Sequence, residues 1–209
     1  MILQIKNIPV AERQQWLQSA IAPRPIALAS TISKKGIVNL APFSFFNLFS
    51  ADPPILIFSP ALRVRDGSRK HTLINIEQIP EVVINLVDED ILKQVNQCSA
   101  DYPEGIDELM TVGFTPVAST RIRPPRVAES KVSFECKVKE IKPMGSSGGA
   151  GNLIICEILV MHVQDSILDS TGRISLRKFK PVARLGGDWY CALRENNIFQ
   201  MPKPEPLLP

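Results

Sequence analysis

Residues 132–163, VSFECKVKEIKPMGSSGGAGNLIICEILVMHV, decide the fold class of this 209-residue chain. From Val132 to Ile141, apolar and polar side chains alternate one by one, which is typical of a strand that is buried on one face only. Leu153–Val163 is a second long and almost wholly apolar segment, and the glycines and serines of Gly145–Gly151 predict a flexible turn between the two. The stretch therefore predicts a long antiparallel hairpin.

Shorter segments around this hairpin add further strands. Ile26–Ile32 and Ile37–Leu40 are joined by a short polar turn and predict a second hairpin. Prolines bracket a buried strand at Ile55–Phe58, and Glu81–Val87 is rich in β-branched residues. Short helices are expected at 11–20, 71–79 and 89–98, and a long loop at 100–126. Because strands dominate without a regular strand–helix alternation, we predict a mainly β fold, an antiparallel barrel with a few short peripheral helices.

The overall charge and hydropathy exclude several classes of protein. The 24 Lys+Arg against 21 Asp+Glu give a net charge of +3 that is spread along the chain, so no nucleic-acid partner is expected. Asp52 and Glu157 interrupt the two most apolar stretches, so no membrane span is expected either. The first residues lack the features of a secretory signal, which predicts a cytoplasmic protein.

The cysteines and histidines do not indicate a metal site. The two histidines are far apart, and the four cysteines have no CxxC spacing, so we expect buried thiols and no metal ligands. The glycines at 149 and 151 begin like a dinucleotide fingerprint, but Ile154 replaces the third glycine and a strand follows. We therefore predict no Rossmann-type dinucleotide site.

Three segments in the first part of the chain combine small and hydroxyl side chains at predicted strand ends or at a helix start. They are Pro23–Thr31, Asn39–Asn47, and Ser59 followed by Arg69–Thr72. In the second segment, the short side chains of Ala41 and Ser44 would let a flat ring approach the backbone amides. These segments are the candidates for a ligand site.

Lys70 and Thr72 lie at the start of the helix predicted at 71–79. Free N–H groups, the helix dipole, an ammonium and a hydroxyl could converge there on a phosphate. Alternatively, Thr72 or Ser68 merely caps the helix and Lys70 is a solvated surface charge. The residues alone leave both interpretations open.

Taken together, these segments resemble the flavin reductase-like family of FMN-binding split barrels, particularly its flavoredoxin-like branch. The resemblance covers roughly residues 20–190 and is carried by Arg24–Thr31, Asn39–Asn47, Asp52–Ile55, Arg69–Thr72, Tyr102–Asp107 and Arg184–Gly187. It implies a split-barrel domain at 21–193. Outside it, the predicted helix gives an N-terminal helical extension at 1–20, and the proline-rich end gives an extended C-terminal tail at 194–209. One position departs from the family, which commonly has Lys-Asp-Thr where this chain has Lys70-His71-Thr72.

The resemblance also implies a function. It predicts a homodimer that binds FMN without a covalent bond, in a pocket at or near the dimer interface, and that transfers electrons from NADH or NADPH to free flavin, a metal centre or another small acceptor. The alternatives are an FMN-binding electron carrier that turns over no nicotinamide and serves a protein partner, and a barrel without flavin. Since the flavin itself accepts the hydride, we predict no catalytic side chain and no metal ligand. The predicted cofactor-binding residues are Ser30, Thr31, Asn39, Ala41, Pro42, Phe43, Ser44, Ser59, Lys70 and Thr72.

Three further features have two interpretations each. Arg184–Tyr190 either folds over the flavin or the partner subunit, or forms a plain turn with Trp189 as a packing anchor. Tyr102–Asp107 either borders the nicotinamide site or is a turn. The phenylalanines at 43, 45, 46 and 49 favour packing in the core or an interface over stacking on a ligand.

Overall fold

A computed structural model describes residues 1–204. The strands are β1 (Arg24–Pro25), β2 (Ala27–Ile32), β3 (Val38–Phe43), β4 (Phe46–Ala51), β5 (Pro54–Phe58), β6 (Glu81–Leu86), β7 (Pro116–Val117), β8 (Arg126–Val127), β9 (Val132–Pro143), β10 (Asn152–Val163), β11 (Val182–Arg184) and β12 (Tyr190–Ala192). The helices are α1 (Val10–Ala20), α2 (His71–Gln78), α3 (Leu92–Gln97), α4 (Glu108–Thr111) and α5 (Leu176–Phe179), with short 3-10 helices at Ile5–Asn7, Asp165–Ile167 and Glu195–Asn197.

The strands form one large antiparallel sheet and two small ones, which confirms the mainly β prediction. The large sheet has seven strands in the order β3-β2-β6-β9-β10-β5-β4. Its longest pairing is the predicted hairpin, in which β9 and β10 run antiparallel from Asn152 opposite Pro143 to Val163 opposite Val132. Strands β1, β11 and β12 form a second sheet, and β7 pairs with β8.

Strand β2 lies between two hydrophobic clusters. Successive side chains of a strand point to opposite faces of the sheet. Leu28 therefore packs in the cluster that contains Leu40 and Val182, whereas Ala27 and Ala29 pack in the cluster on the other face. Because β3 and β6 also flank β2 on its two edges, this strand is enclosed on every side.

Several local predictions need correction. The expectation that β9 is buried on one face only is wrong at its start, because Ser133 and Glu135 on the polar face are also buried. The segment before β8 covers them, and the backbone N–H groups of Thr120 and Arg121 donate to the Glu135 carboxylate. The loop predicted at 100–126 contains α4 and β7. Strand β4 was not predicted. Phe45, which directly precedes it, and Phe49 within it are exposed.

The two ends of the chain carry little buried surface. Helix α1 occupies the predicted N-terminal position and contributes no buried residue. The predicted C-terminal tail includes the 3-10 helix at Glu195–Asn197, and its residues 205–209 lie outside the described part of the chain. None of the helices between residues 1 and 204 combines the length and apolar character required to cross a bilayer.

Candidate functional site

A small polar cavity lies where β3 meets the start of α2, with the segment 98–102 and α4 completing its wall. The structure brings five of the predicted cofactor-binding residues to this wall: Asn39, Ala41, Pro42, Lys70 and Thr72. The sixth, Phe43, lies beneath the Lys70 ammonium, whose Nζ is 5.5 Å from the ring centroid. Residues that are 33 positions apart in the chain, such as Asn39 and Thr72, are thus in direct contact.

Lys70 is half-buried in this cavity, and its ammonium forms no hydrogen bond or ion pair with any residue in the described range 1–204. Burial lowers the pKa of its ammonium, and the nearby charge of Arg63 lowers that pKa further. The interpretation of Lys70 as a freely solvated surface charge therefore does not agree with the structure. A half-buried cation without a counter-ion is costly for the protein and favours the binding of an anion.

The start of α2 is not capped by a side chain. Lys70 occupies the N-cap position without a side-chain cap. The Thr72 hydroxyl is bonded to the side-chain amide of Asn39 at 2.9 Å, so it does not cap the helix. The amide orientation that satisfies every neighbour has Asn39 accepting from Thr72 and donating to Glu108 Oε1 at 3.1 Å. The N–H of Leu73 donates to the Lys70 carbonyl at 3.0 Å, which leaves the N–H groups of His71 and Thr72 without an acceptor in the described chain. Such N–H groups at a helix start favour an anionic ligand.

Arg63 is a site residue that the sequence analysis missed. Its guanidinium lines the same cavity and is held by Asp101 at 3.1 Å and by the carbonyl of Arg69 at 2.6 Å. These contacts leave Arg63 close enough to lower the pKa of Lys70. No local pattern could have revealed it, because Asp101 is 38 residues further along the chain.

Glu108 is the second missed residue. It is the first residue of α4, whose N-cap Asp107 accepts a hydrogen bond from the N–H of Met110 at 3.0 Å. The Glu108 side chain is buried, and its Oε2 accepts a hydrogen bond from the backbone N–H of Leu40 at 3.0 Å. Burial raises the pKa of this carboxyl to about 7, and the Leu40 N–H opposes the shift only in part.

The remaining predicted residues lie away from the cavity wall. Ser30 and Thr31 are fully buried in β2, since neighbouring strands and both clusters enclose that strand, and Thr31 accepts a hydrogen bond from Asn75 at 3.1 Å. The Ser44 hydroxyl accepts from Arg24, and Ser59 packs against Gly151, where an added Cβ would lie 2.7 Å from the Ser59 hydroxyl oxygen.

The segment Arg184–Tyr190 forms the turn between β11 and β12. The Arg184 guanidinium lies over the Tyr190 ring, 4.5 Å from its centroid. Gly186 is in close contact with Ser19 of α1. Trp189 is 76% exposed, so in the single chain it is not a packing anchor.

The donor set of the cavity fits the phosphate end of FMN. Lys70, Arg63 and the free N–H groups of α2 supply cationic and neutral donors, and the short side chains of Ala41 and Pro42 leave the β3 backbone accessible beside them. For a metal the residues do not fit, because within residues 1–204 no three His, Cys, Asp or Glu side chains are grouped to hold one. The four cysteines are free thiols, three of them buried.

The fold and the cavity define an antiparallel β domain with a polar corner lined by Lys70 and Arg63, and comparison with known proteins identifies its family. The sequence profile of the flavin reductase like domain matches residues 19–179. The chain therefore belongs to the flavin reductase-like family, as the residues of the first segments predicted. This match lies almost entirely within the predicted domain at 21–193.

Solved structures confirm the split-barrel fold. Nitrilotriacetate monooxygenase component B from Bacillus cereus superposes with a TM-score of 0.89 at 29% identity, covering 96% of this chain and 98% of that one. The 2-nitrobenzoate 2-nitroreductase of Pseudomonas fluorescens gives 0.84 at 28% identity, with complete coverage of both chains. Flavoredoxin of Desulfovibrio vulgaris gives 0.72 at 20% identity, covering 87% and 91%, which shows a shared fold.

Proposed function

We propose that this protein is an FMN-binding oxidoreductase that passes electrons from NADH or NADPH, through the flavin, to free flavin, a metal centre or another small acceptor. The observation that carries the proposal is the pair of cations at the start of α2. The Lys70 ammonium forms no ion pair in the described chain, although Asp101 and Glu108 lie near enough to act on its pKa, and Arg63 lines the same cavity. The similar structures from B. cereus and P. fluorescens are a monooxygenase component and a nitroreductase, which supports redox chemistry for this chain.

The residues of the chain bind and orient the flavin. Lys70 and Arg63 would hold the phosphate by charge-assisted hydrogen bonds, together with the first N–H groups of α2. The backbone of β3 at Ala41 and Pro42 would lie against the ring. When bound, FMN supplies the hydride and electron transfer chemistry, so no side-chain acid, base or nucleophile is needed.

We also propose that the protein works as a homodimer that contacts its partner through β4. This strand is an edge of the seven-stranded sheet, and its Leu48 and Phe49 are 62% and 68% exposed. Large exposed apolar side chains on an unpaired edge favour association with a second copy of the chain. Sedimentation of the flavin-loaded protein should therefore show a two-chain species.

The phosphate assignment is tested by Lys70→Ala. Loss of one charged hydrogen bond costs about 1.5–3 kcal/mol, so the affinity for FMN should fall roughly 10- to 150-fold. Riboflavin lacks the phosphate and should be affected much less. Titration of flavin fluorescence with both ligands measures the two affinities.

A matched control for this substitution is Lys142→Ala, because Lys142 is an exposed lysine of β9 that lies outside the cavity. It removes the same charge and should change neither affinity. Equal losses for FMN and riboflavin in Lys70→Ala would contradict the assignment.

The electron-transfer function is tested by anaerobic reduction of the FMN-loaded protein. NADH or NADPH should bleach the visible flavin absorbance rapidly. If only a protein donor bleaches it, the protein is an electron carrier. A purified protein that binds no flavin would contradict both functions.

A further inference from the structure

We propose that Glu108 sets the selectivity of this cavity for a phosphate-bearing flavin by taking up a proton when the phosphate binds and by opposing that binding once it is ionised. The inference rests on the proposed function, since it takes Lys70 and Arg63 as the partners of the phosphate. It concerns a carboxyl group that electron transfer through flavin does not require.

Glu108 lies on the wall between two neighbouring cavities. With Asn39 and His71 it lines both the phosphate cavity and a wider neighbouring groove, whose wall includes Lys34, Lys35 and Arg69. The Glu108 residue itself is only 5% exposed. Any charge that enters the cavity therefore acts on this carboxyl through little intervening water.

The contacts of Glu108 leave it without a close cationic partner among the described residues. Its Oε2 accepts from the Leu40 N–H at 3.0 Å, and its Oε1 accepts from the Asn39 amide at 3.1 Å. The Oε1 lies 3.9 Å from His71 Nδ1, which is too far for a hydrogen bond. A carboxyl buried in this way is able to hold a proton near neutral pH.

Charged and titratable groups face Glu108 from every neighbouring element. They are Lys70 and His71 of the α2 start, Arg63 and Asp101 of the adjoining loops, Cys98 after α3, and Asp107 beside it. Burial raises the pKa of Glu108, and the charge of Asp107 adds to the rise. The N–H of Leu40 and the charges of Lys70 and Arg63 lower the pKa, and the net value is about 7. Near pH 7 both the protonated and the ionised form of the carboxyl are therefore populated.

A bound phosphate disturbs this balance in one direction. It adds negative charge beside Glu108, and it offsets the charges of Lys70 and Arg63 that favour the carboxylate. Both effects raise the pKa of Glu108. The bound state therefore holds more protons than the free state above pH 7, and the affinity for FMN falls as the pH rises, by tenfold for each unit by which phosphate raises that pKa. The phosphate itself has a second pKa of about 6 and is already a dianion in this range.

The test measures proton uptake on binding. Calorimetric titration of the wild-type protein with FMN at pH 7.5, in two buffers of different ionisation enthalpy, should show uptake of a fraction of one proton. Titration with riboflavin should show none. Glu108→Gln keeps an oxygen that accepts from Leu40 but cannot take up a proton, so its FMN titration should show none either.

Glu108→Gln should also change how the affinity for FMN depends on pH. Between pH 7 and 9, where the phosphate is largely a dianion, the wild-type affinity for FMN should fall roughly fivefold for a shift of one pKa unit, whereas that of Glu108→Gln should stay nearly flat. At pH 9 the variant should bind FMN more tightly than the wild type. A merely structural role of Glu108 would weaken binding at every pH.

His71→Asn removes the titratable side chain nearest to the Glu108 Oε1, 3.9 Å away, and does not depend on the folding of the glutamine variant. It should retain proton uptake if Glu108 is the acceptor of the proton. Uptake that disappears in His71→Asn and persists in Glu108→Gln would overturn the inference, as would a flat wild-type profile or equal uptake with riboflavin. FMN binding without proton uptake overturns this inference alone, whereas absence of FMN binding to the wild type overturns the proposed function with it.

Discussion

Two buried glutamates of this protein have opposite surroundings. Glu135 of β9 is fully buried, yet its carboxylate accepts from the backbone N–H groups of Thr120 and Arg121, each at 2.7 Å, and is bonded to His162 Nε2 at 2.7 Å. Burial by itself would raise the pKa of Glu135, but these partners hold it below its usual value. Glu108 has one backbone donor and no close cation in the described chain, and burial raises its pKa to about 7.

The difference shows how burial alone fails to define a role. The Glu135 carboxylate has three hydrogen-bond partners, and two of them are backbone N–H groups of the segment before β8. These bonds hold that segment against β9. Glu108, a buried carboxyl with fewer donors, adds no such anchor, and it lines the same cavity as the half-buried Lys70, whose ammonium forms no ion pair in the described chain. The first arrangement stabilises the fold, whereas the second costs stability and is typical of a functional site.

The largest effect is expected for Glu135→Gln. A glutamine oxygen can satisfy only part of the bonds made by the carboxylate, and buried N–H groups lose their acceptor. The free energy of unfolding should fall by about 2–4 kcal/mol. Urea unfolding at pH 8 measures it, and Glu157→Gln is the control, since Glu157 forms only a partly exposed ion pair with Lys139. A loss of less than about 1 kcal/mol would break the distinction between the two glutamates.

The same substitution at position 108 should act in the other direction and more weakly. A carboxyl whose folded-state pKa is raised contributes stability below its unfolded-state pKa of about 4.3, and loses that contribution as the pH rises through the folded value of about 7. At pH 8 the wild type therefore buries an ionised carboxylate. Glu108→Gln removes that ion and should raise the free energy of unfolding at pH 8 by about 1 kcal/mol relative to its effect at pH 5. If the substitution changed the free energy of unfolding by the same amount at pH 5 and at pH 8, the contrast between Glu108 and Glu135 would be lost.

Much of the fold could be predicted because its signals are local. The alternation from Val132 to Ile141 and the glycine-rich turn after it predict the β9–β10 hairpin, which the structure confirms. Strand β4 escaped prediction because residues 46–51 are mostly exposed apolar side chains without a burial pattern. Glu135 was assigned to a solvent face because the segment that covers it is 14 and 15 residues earlier in the chain.

The candidate site was predictable only in part. Asn39, Ala41, Pro42, Lys70 and Thr72 were found because they form short segments that resemble those of a known family, and all five line the cavity. Ser30 and Thr31 share such a segment but face the interior, since β2 is enclosed on all sides. That enclosure depends on strands from distant parts of the chain.

By itself, the sequence determined the strand-rich fold, the family and the short segments that form part of the candidate site, because periodicity, turn residues and helix starts depend on neighbours within a few positions. Only the tertiary structure decided which charges meet in the cavity. It placed Arg63 with Asp101 and Glu108 with Leu40, pairs that are 38 and 68 residues apart. The pKa of a carboxyl depends on burial and on the charges around it, and both are set by how the chain folds back on itself.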